Sequence, residues 1–161
     1  MRFYPHYFYS PLTKEGLQVG EGHVEMLSID RRIETNVEEI YRSHAAGIKT
    51  EPSFAVAGNM PVILRESLLI DVIDMGKRVV EASIDLFGGI PGPFCIETIC
   101  DEDFRFSAFE ISARIVAGTN LYPTGSPYTP YLFKEEMSTG RRIAREIKTA
   151  LLMGKLEKVV Y

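Results

Sequence analysis

The chain has 161 residues, of which 45% are hydrophobic, 25% charged and 11% aromatic, enough apolar material for the core of one domain. Eighteen Lys and Arg against 22 Asp and Glu leave a net charge of -4 with no basic block, which argues against nucleic acid as the main partner. No apolar run nears the ~20 residues that cross a bilayer, the start MRFYPHYFYSPL lacks a charged then apolar leader, and two cysteines cannot build a disulfide framework, so a reducing, cytoplasmic setting is expected.

In chain order, FYPHYFY at 3–9 has strong strand propensity and stops at Ser10-Pro11. Residues 14–22 read as a polar, glycine-punctuated connection, and HVEMLSIDRRI at 23–33 as a strand that enters a short helix at 37–42 after Thr35-Asn36. SFAVAGNM at 53–60 is a small apolar strand ended by Gly58-Asn59 and Pro61. From Glu66 to Phe87 apolar residues recur at three and four, the stripe of an amphipathic helix on a sheet, with Gly76 as its weak point. GGIPGP at 88–93 breaks that helix and leads into a strand at 94–100. Ser138 caps a last helix from Thr139 to Met153 with Ile143, Ile147, Ala150 and Leu151 on one side and Gly154 as its stop, and 155–161 reads as a short closing strand. The expected architecture is α+β, a mostly antiparallel sheet covered by two long helices.

The segment FCIETICDEDFRFSAFEISARI at 94–115 carries the chemistry. With a turn across Glu102 to Arg105, Glu97 falls opposite Glu110. Facing residues of an antiparallel pair have Cβ atoms about 5 Å apart, so two carboxylates there repel unless a cation or a proton joins them. Oxygen ligands without nearby His or Cys suit Mg²⁺, which takes one or two carboxylates and fills its shell with water and phosphate oxygens. Period two sets Glu110, Ser112 and Arg114 on one face, where Arg114 would meet phosphate, and Phe109, Ile111, Ala113 and Ile115 on a core face. The competing reading is a solvated acidic pair partly neutralised by Arg114. Asp101, Glu102 and Asp103 read as turn residues, and Cys95 and Cys100 as free thiols on opposite faces. His6 reads as a packed ring, His23 and His44 join no ligand cluster, and Tyr122, Tyr128, Tyr131 and Phe133 read as a loop packing its own aromatics.

The stretches SIDRRIETN, VAGNMPVILRESLL, GPFCIETIC, FEISARIVAGTN, GSPY and TGRRIAREIKTALLMGKLEKVVY together resemble the C-terminal half of the archaeal PurP family, from about residue 7 to 161. That family joins formate to 5-aminoimidazole-4-carboxamide ribonucleotide (AICAR) with ATP, through formyl phosphate, giving the 5-formamido product (FAICAR) of purine biosynthesis. The resemblance implies an ATP-grasp C-terminal-type domain over residues 1–161, with E-x-S-x-R at 110–114 in the place of that fold's E-x-N-x-R strand. It implies Glu97 and Glu110 as ligands of Mg²⁺, or Mn²⁺, the pair that the hairpin register picks out. It also implies Glu34 as an ATP contact and Asn59 as a contact of the ribonucleotide. By the same resemblance the N-terminal substrate domain and the first ATP-grasp lobe precede the matching region and are not expected here, so an N-terminal partner chain and a homo-oligomer are implied, with no nucleic acid and no membrane. The alternative is a non-catalytic, truncated homologue acting as a nucleotide-binding or oligomerisation module.

Overall fold

An aromatic-rich run buried on both faces extends Arg2–Ser10 as β1, the central strand of the sheet seen in the computed structural model, which describes residues 1–51 and 53–160, the side chains of 37–39 and 41 excepted. β2 (Leu17–Val19) follows inside the stretch expected to be a plain connection, because Leu17 and Val19 can pair with β3 (Gly22–Glu34) across a tight turn at Gly20 and Glu21. α1 (Val37–Ala45) and β4 (Val56–Pro61) come next, then α2 (Glu66–Phe87), β5 (Gly92–Cys100), β6 (Phe106–Ser112) and α3 (Thr139–Met153). The six strands of the described residues form one antiparallel sheet in the order β2-β3-β1-β5-β6, with β4 pairing the far half of β3, so the expected α+β antiparallel architecture holds. Helices α2 and α3 occupy the predicted residues and α1 is a third, shorter helix. No helix of the described residues is long and apolar enough to cross a membrane.

A bulge decides which residues of β3 face where. His6 pairs with Ser28 but Tyr7 pairs with Met26, which leaves Leu27 as the extra residue. Val24, Met26 and Ile29 therefore join Tyr7, Tyr9, Phe94 and Ile96 beneath α2, while Leu27 joins Phe8, Phe133 and Met137 on the other side.

On the first side α2 buries Val72, Met75, Gly76, Val80 and Ser83, a three-and-four spacing. Gly76 lies against the ring of Tyr7, which stacks on Phe94 at 5.0 Å and donates a hydrogen bond to the Val72 carbonyl at 2.6 Å. A Cβ at 76 would overlap that ring. Gly76→Ala, favourable by about 1 kcal/mol from helix propensity alone, is therefore expected to destabilise the fold by about 1–3 kcal/mol, read from the urea midpoint.

On the second side α3 keeps only part of its predicted face, with Ala150 buried and Ile143 packed against the cluster of Phe8, Leu27, Phe133 and Met137. Its buried residues are Thr139, Arg142, Glu146 and Ala150, whereas Ile147 and Leu151 are exposed. Arg142 is fully buried over the Phe8 ring (4.1 Å). Its Nε lies 3.0 and 3.1 Å from the two Glu25 oxygens, its Nη1 2.8 Å from Glu146 and its Nη2 2.9 Å from Thr13 Oγ1. Ser10 Oγ donates to the other Glu146 oxygen at 2.6 Å. An ion pair satisfied this fully is the reason a charged stripe, not the apolar one, turns inward.

Two carboxylates share one guanidinium there, and burial pushes Glu25 up to about 7 against the lowering pull of Arg142. A folded-state value above the unfolded one contributes stability below the unfolded value, and that contribution is lost as pH rises through the folded value. Raising the pH from 5 to 8 should thus remove up to about 3 kcal/mol of stability, and Glu25→Gln should flatten that slope in denaturant titrations at each pH.

The expected closing strand is absent among the described residues. Gly154 takes a left-handed conformation (φ 64°), Lys155 N–H bonds back to Ala150, and Leu156–Lys158 forms a 3-10 turn, so the chain curls against α3 instead of reaching a sheet edge. Tyr161 lies outside the described residues.

Candidate functional site

The β5–β6 hairpin closes on Asp101, whose Oδ1 accepts the backbone N–H groups of Asp103 (3.0 Å) and Arg105 (2.9 Å), while Phe104 adopts φ 62°. The acidic turn is thus held by its own backbone. From this turn the register places Glu97 directly opposite Glu110. One residue is extra on the β6 side, Phe109, because Glu97 pairs with Glu110 but Thr98 pairs with Ala108. β6 is an edge strand, and Phe109 and Ile111, expected on a core face, are about half exposed.

The two glutamates share a register position but have different surroundings. Glu97 is nearly buried and binds Arg32 with both oxygens, at 3.2 and 3.4 Å, while Glu110 is exposed. Arg32 lies flat over the Tyr4 ring at 4.0 Å, so the cation beside Glu97 is held from below by an aromatic face. Glu34, at the end of β3, accepts from Arg2 at 2.5 Å, and the Arg2 guanidinium also covers the rings of Phe54 and Phe109. Arg114 lies just past β6, exposed, and donates to the Ile115 carbonyl. Asn59 stands on β4 opposite Arg32, and its Nδ2 donates to Asp30 Oδ2 at 2.6 Å. The other Asp30 oxygen is 2.5 Å from His6 Nε2, with both side chains buried. His6 is thus a packed ring, but one paired to a carboxylate.

Period two explains the assembly: Arg2, Tyr4 and His6 on β1, Asp30, Arg32 and Glu34 on β3, and Cys95 and Glu97 on β5 stand on the face opposite α2. The Cys95 thiol is pushed far up by burial and by the fields of Asp30 and Glu97, so it stays protonated and inert. Tyr122 and Tyr128 tie their loop to the sheet rather than to itself: Tyr122 O–H donates to the Ile29 carbonyl on β3 and accepts from Val62 N–H, and Tyr128 accepts from Leu64 N–H. Phe133 is buried, and Tyr131 projects into solvent, 89% exposed.

Among the described residues no three or more His, Cys, Asp or Glu side chains stand together as a complete metal cage. An oxygen-only pair such as Glu97 with Glu110 would suit a hard divalent cation that draws its remaining ligands from phosphate and water, although here both Glu97 oxygens are bound by Arg32. Sequence reasoning missed Asp30, Arg32 and Arg2. The signal was present in SIDRRIE, where Asp30, Arg32 and Glu34 alternate along one strand face.

Fold and site together define an α+β domain whose antiparallel sheet packs one face under α2 and the other, lined with paired charges, partly under α3. The chain belongs to the family described as "Domain of unknown function (DUF1297)", matched over residues 1–161, and through its relatives to the archaeal PurP family. It is 54% identical to the "5-formaminoimidazole-4-carboxamide-1-(beta)-D-ribofuranosyl 5'-monophosphate synthetase" of Methanothrix thermoacetophila over 165 residues, covering 99% of this chain and 46% of that protein. The protein of the same name from Pyrococcus horikoshii is 54% identical over 160 residues, covering 98% of this chain and 46% of its own length. Among solved structures, an "IMP biosynthesis protein PurP" from Thermococcus kodakaraensis superposes with a TM-score of 0.76 at 31% identity, covering 98% of this chain and 48% of that one. The chain spans about half the length of the curated relatives it matches.

Proposed function

We propose that the chain is the ATP-grasp C-terminal part of a cytoplasmic, ATP- and formate-dependent ligase that converts AICAR to FAICAR in purine biosynthesis. The observation that carries this reading is the facing of Glu97 and Glu110 across β5 and β6, on the sheet face that also bears Glu34, Arg32 and Asn59. The names of its relatives, a monophosphate synthetase and an IMP biosynthesis protein, support it.

In this reading Glu97 and Glu110 hold Mg²⁺ or Mn²⁺, Glu34 and Arg114 contact ATP, and Asn59 contacts AICAR. The bound cation supplies charge screening on the phosphates and alignment of the γ-phosphoryl group. A formate oxygen attacks the γ-phosphorus and ADP leaves, giving formyl phosphate. The 5-amino nitrogen of AICAR then attacks the formyl carbon, phosphate leaves, and the nitrogen loses a proton. The chain needs no side-chain nucleophile for either step: its work is to orient reactants and to offset negative charge, for which Arg32, anchored between Tyr4 and Glu97, is preorganised. Phe54 and Phe109, beside Arg2, leave apolar surface at this face for the remaining half of the ligase to cover.

Mixing the chain with the portion of the Methanothrix thermoacetophila relative that it does not match should restore formate- and ATP-dependent consumption of AICAR. Binding of Mg-ATP and AICAR without any turnover in that mixture would contradict catalysis and favour a nucleotide-binding module.

A further inference from the structure

The three side chains His6, Asp30 and Asn59 form a line that begins in the core and ends at the ligand face. Asp30 is 1% exposed and His6 2%, and Asn59 alone is partly open to solvent. Both Asp30 oxygens are engaged, Oδ1 with His6 Nε2 at 2.5 Å and Oδ2 with Asn59 Nδ2 at 2.6 Å. Gly118, in the 3-10 turn Ala117–Leu121, packs its backbone so closely on this pair that a Cβ there would overlap the Asp30 carboxylate and touch the His6 ring. The turn seals the pair from water.

This arrangement fixes a choice that an exposed asparagine leaves open. A side-chain amide offers an N–H₂ donor on one side and a carbonyl acceptor on the other, and a flip exchanges them. A carboxylate only accepts, so turning the Asn59 carbonyl toward Asp30 Oδ2 would set two acceptors against each other in a buried site. The other Asp30 oxygen, 2.5 Å from His6 Nε2, holds the carboxyl group in place and aimed at Asn59.

We propose that the buried His6–Asp30 pair is a positioning device that locks Asn59 with its Oδ1 acceptor outward, so that Asn59 selects a ribonucleotide by an exocyclic N–H donor of its base. The inference rests on the functional reading above and deepens it. AICAR offers such donors on its 5-amino and 4-carboxamide groups, and a site built to accept a hydrogen bond rejects an analogue that lacks the donor.

The test is titration of the 161-residue chain with three ribonucleotides in the presence of Mg-ATP: AICAR, its analogue with hydrogen at position 5, and its analogue with carboxylate at position 4. The wild-type chain should bind one of the two analogues about tenfold or more weakly than AICAR, and which one names the donor. Asp30→Asn, which frees the Asn59 amide to turn, should reduce that preference to within about twofold. His6→Gln, which retains an N–H donor toward Asp30, should keep the preference, and His6→Phe should lose it. These two variants carry the comparison where Asp30→Asn does not fold. Equal binding of all three ribonucleotides by the wild-type chain would overturn the positioning role alone, as would a preference untouched by Asp30→Asn and His6→Phe. No binding of any of them would overturn it together with the functional reading.

Discussion

Glu97→Gln combined with Glu110→Gln is expected to abolish the stabilisation that Mg-ATP gives the chain while leaving the fold intact. A ligand present at about 100 times its Kd stabilises by about 2.7 kcal/mol, which for a domain of this size raises Tm by about 5–10 °C. The double variant should show none of that rise. Glu110 is exposed, so its amide costs the fold little. Glu97 is nearly buried, but the amide introduced by Glu97→Gln would keep the shape and one acceptor for Arg32, whose guanidinium still rests on Tyr4. The unliganded double variant should therefore lose no more than about 1–3 kcal/mol. Asp103→Asn, in the hairpin turn, should retain the full Mg-ATP shift, since Asp103 serves the turn through its backbone N–H. A double variant whose thermal shift equals that of the wild type would contradict the metal role.

Arg142→Met should have the largest effect on stability, a loss of about 3–5 kcal/mol in urea titration at neutral pH. The substitution keeps much of the side-chain volume but strands Glu25 and Glu146, both almost fully buried, without their shared cation. It also unties α3 from β1 and β3, since Ser10, Thr13 and Glu25 all reach Arg142 or its partner Glu146. The loss should be larger at pH 8 than at pH 5, because the Glu25 carboxyl, held near 7 in the wild type, loses the one neighbour that favours its charged form. A loss below about 1 kcal/mol would show that the network adds no net stability and that α3 is held by its apolar contacts alone.

What was legible in the sequence follows from where the information lies. The bounds of α2 and α3 are local: an apolar stripe at three and four, Ser138 accepting the Arg141 N–H, and glycines at 88 and 154 in left-handed conformations. The Glu97–Glu110 register is nearly local, set by a turn that Asp101 organises. Of the inward face of α3 only Ala150 and Ile143 were legible, because the distant Glu25, Ser10 and Thr13 are what make burial of Arg142 and Glu146 favourable. β2 is three residues long and exists only by pairing with β3, and the last segment turns back on α3 through the Lys155 N–H bond to Ala150 instead of joining a sheet edge. The His6–Asp30–Asn59 line joins three strands, so no spacing along the chain announces it. Glu34 and Asn59 entered through family resemblance, and the structure adds what holds each of them, Arg2 and Asp30.

The central claim is that two glutamates on neighbouring strands share one divalent cation. Replacing Mg²⁺ with paramagnetic Mn²⁺ and following the NMR signals of selectively labelled glutamates tests it most directly. With ATP present, substoichiometric Mn²⁺ should broaden the signals of Glu97 and Glu110 first and leave that of Glu102, in the hairpin turn, sharp. Broadening centred on Glu102, or no broadening of Glu97 and Glu110 at all, would contradict it.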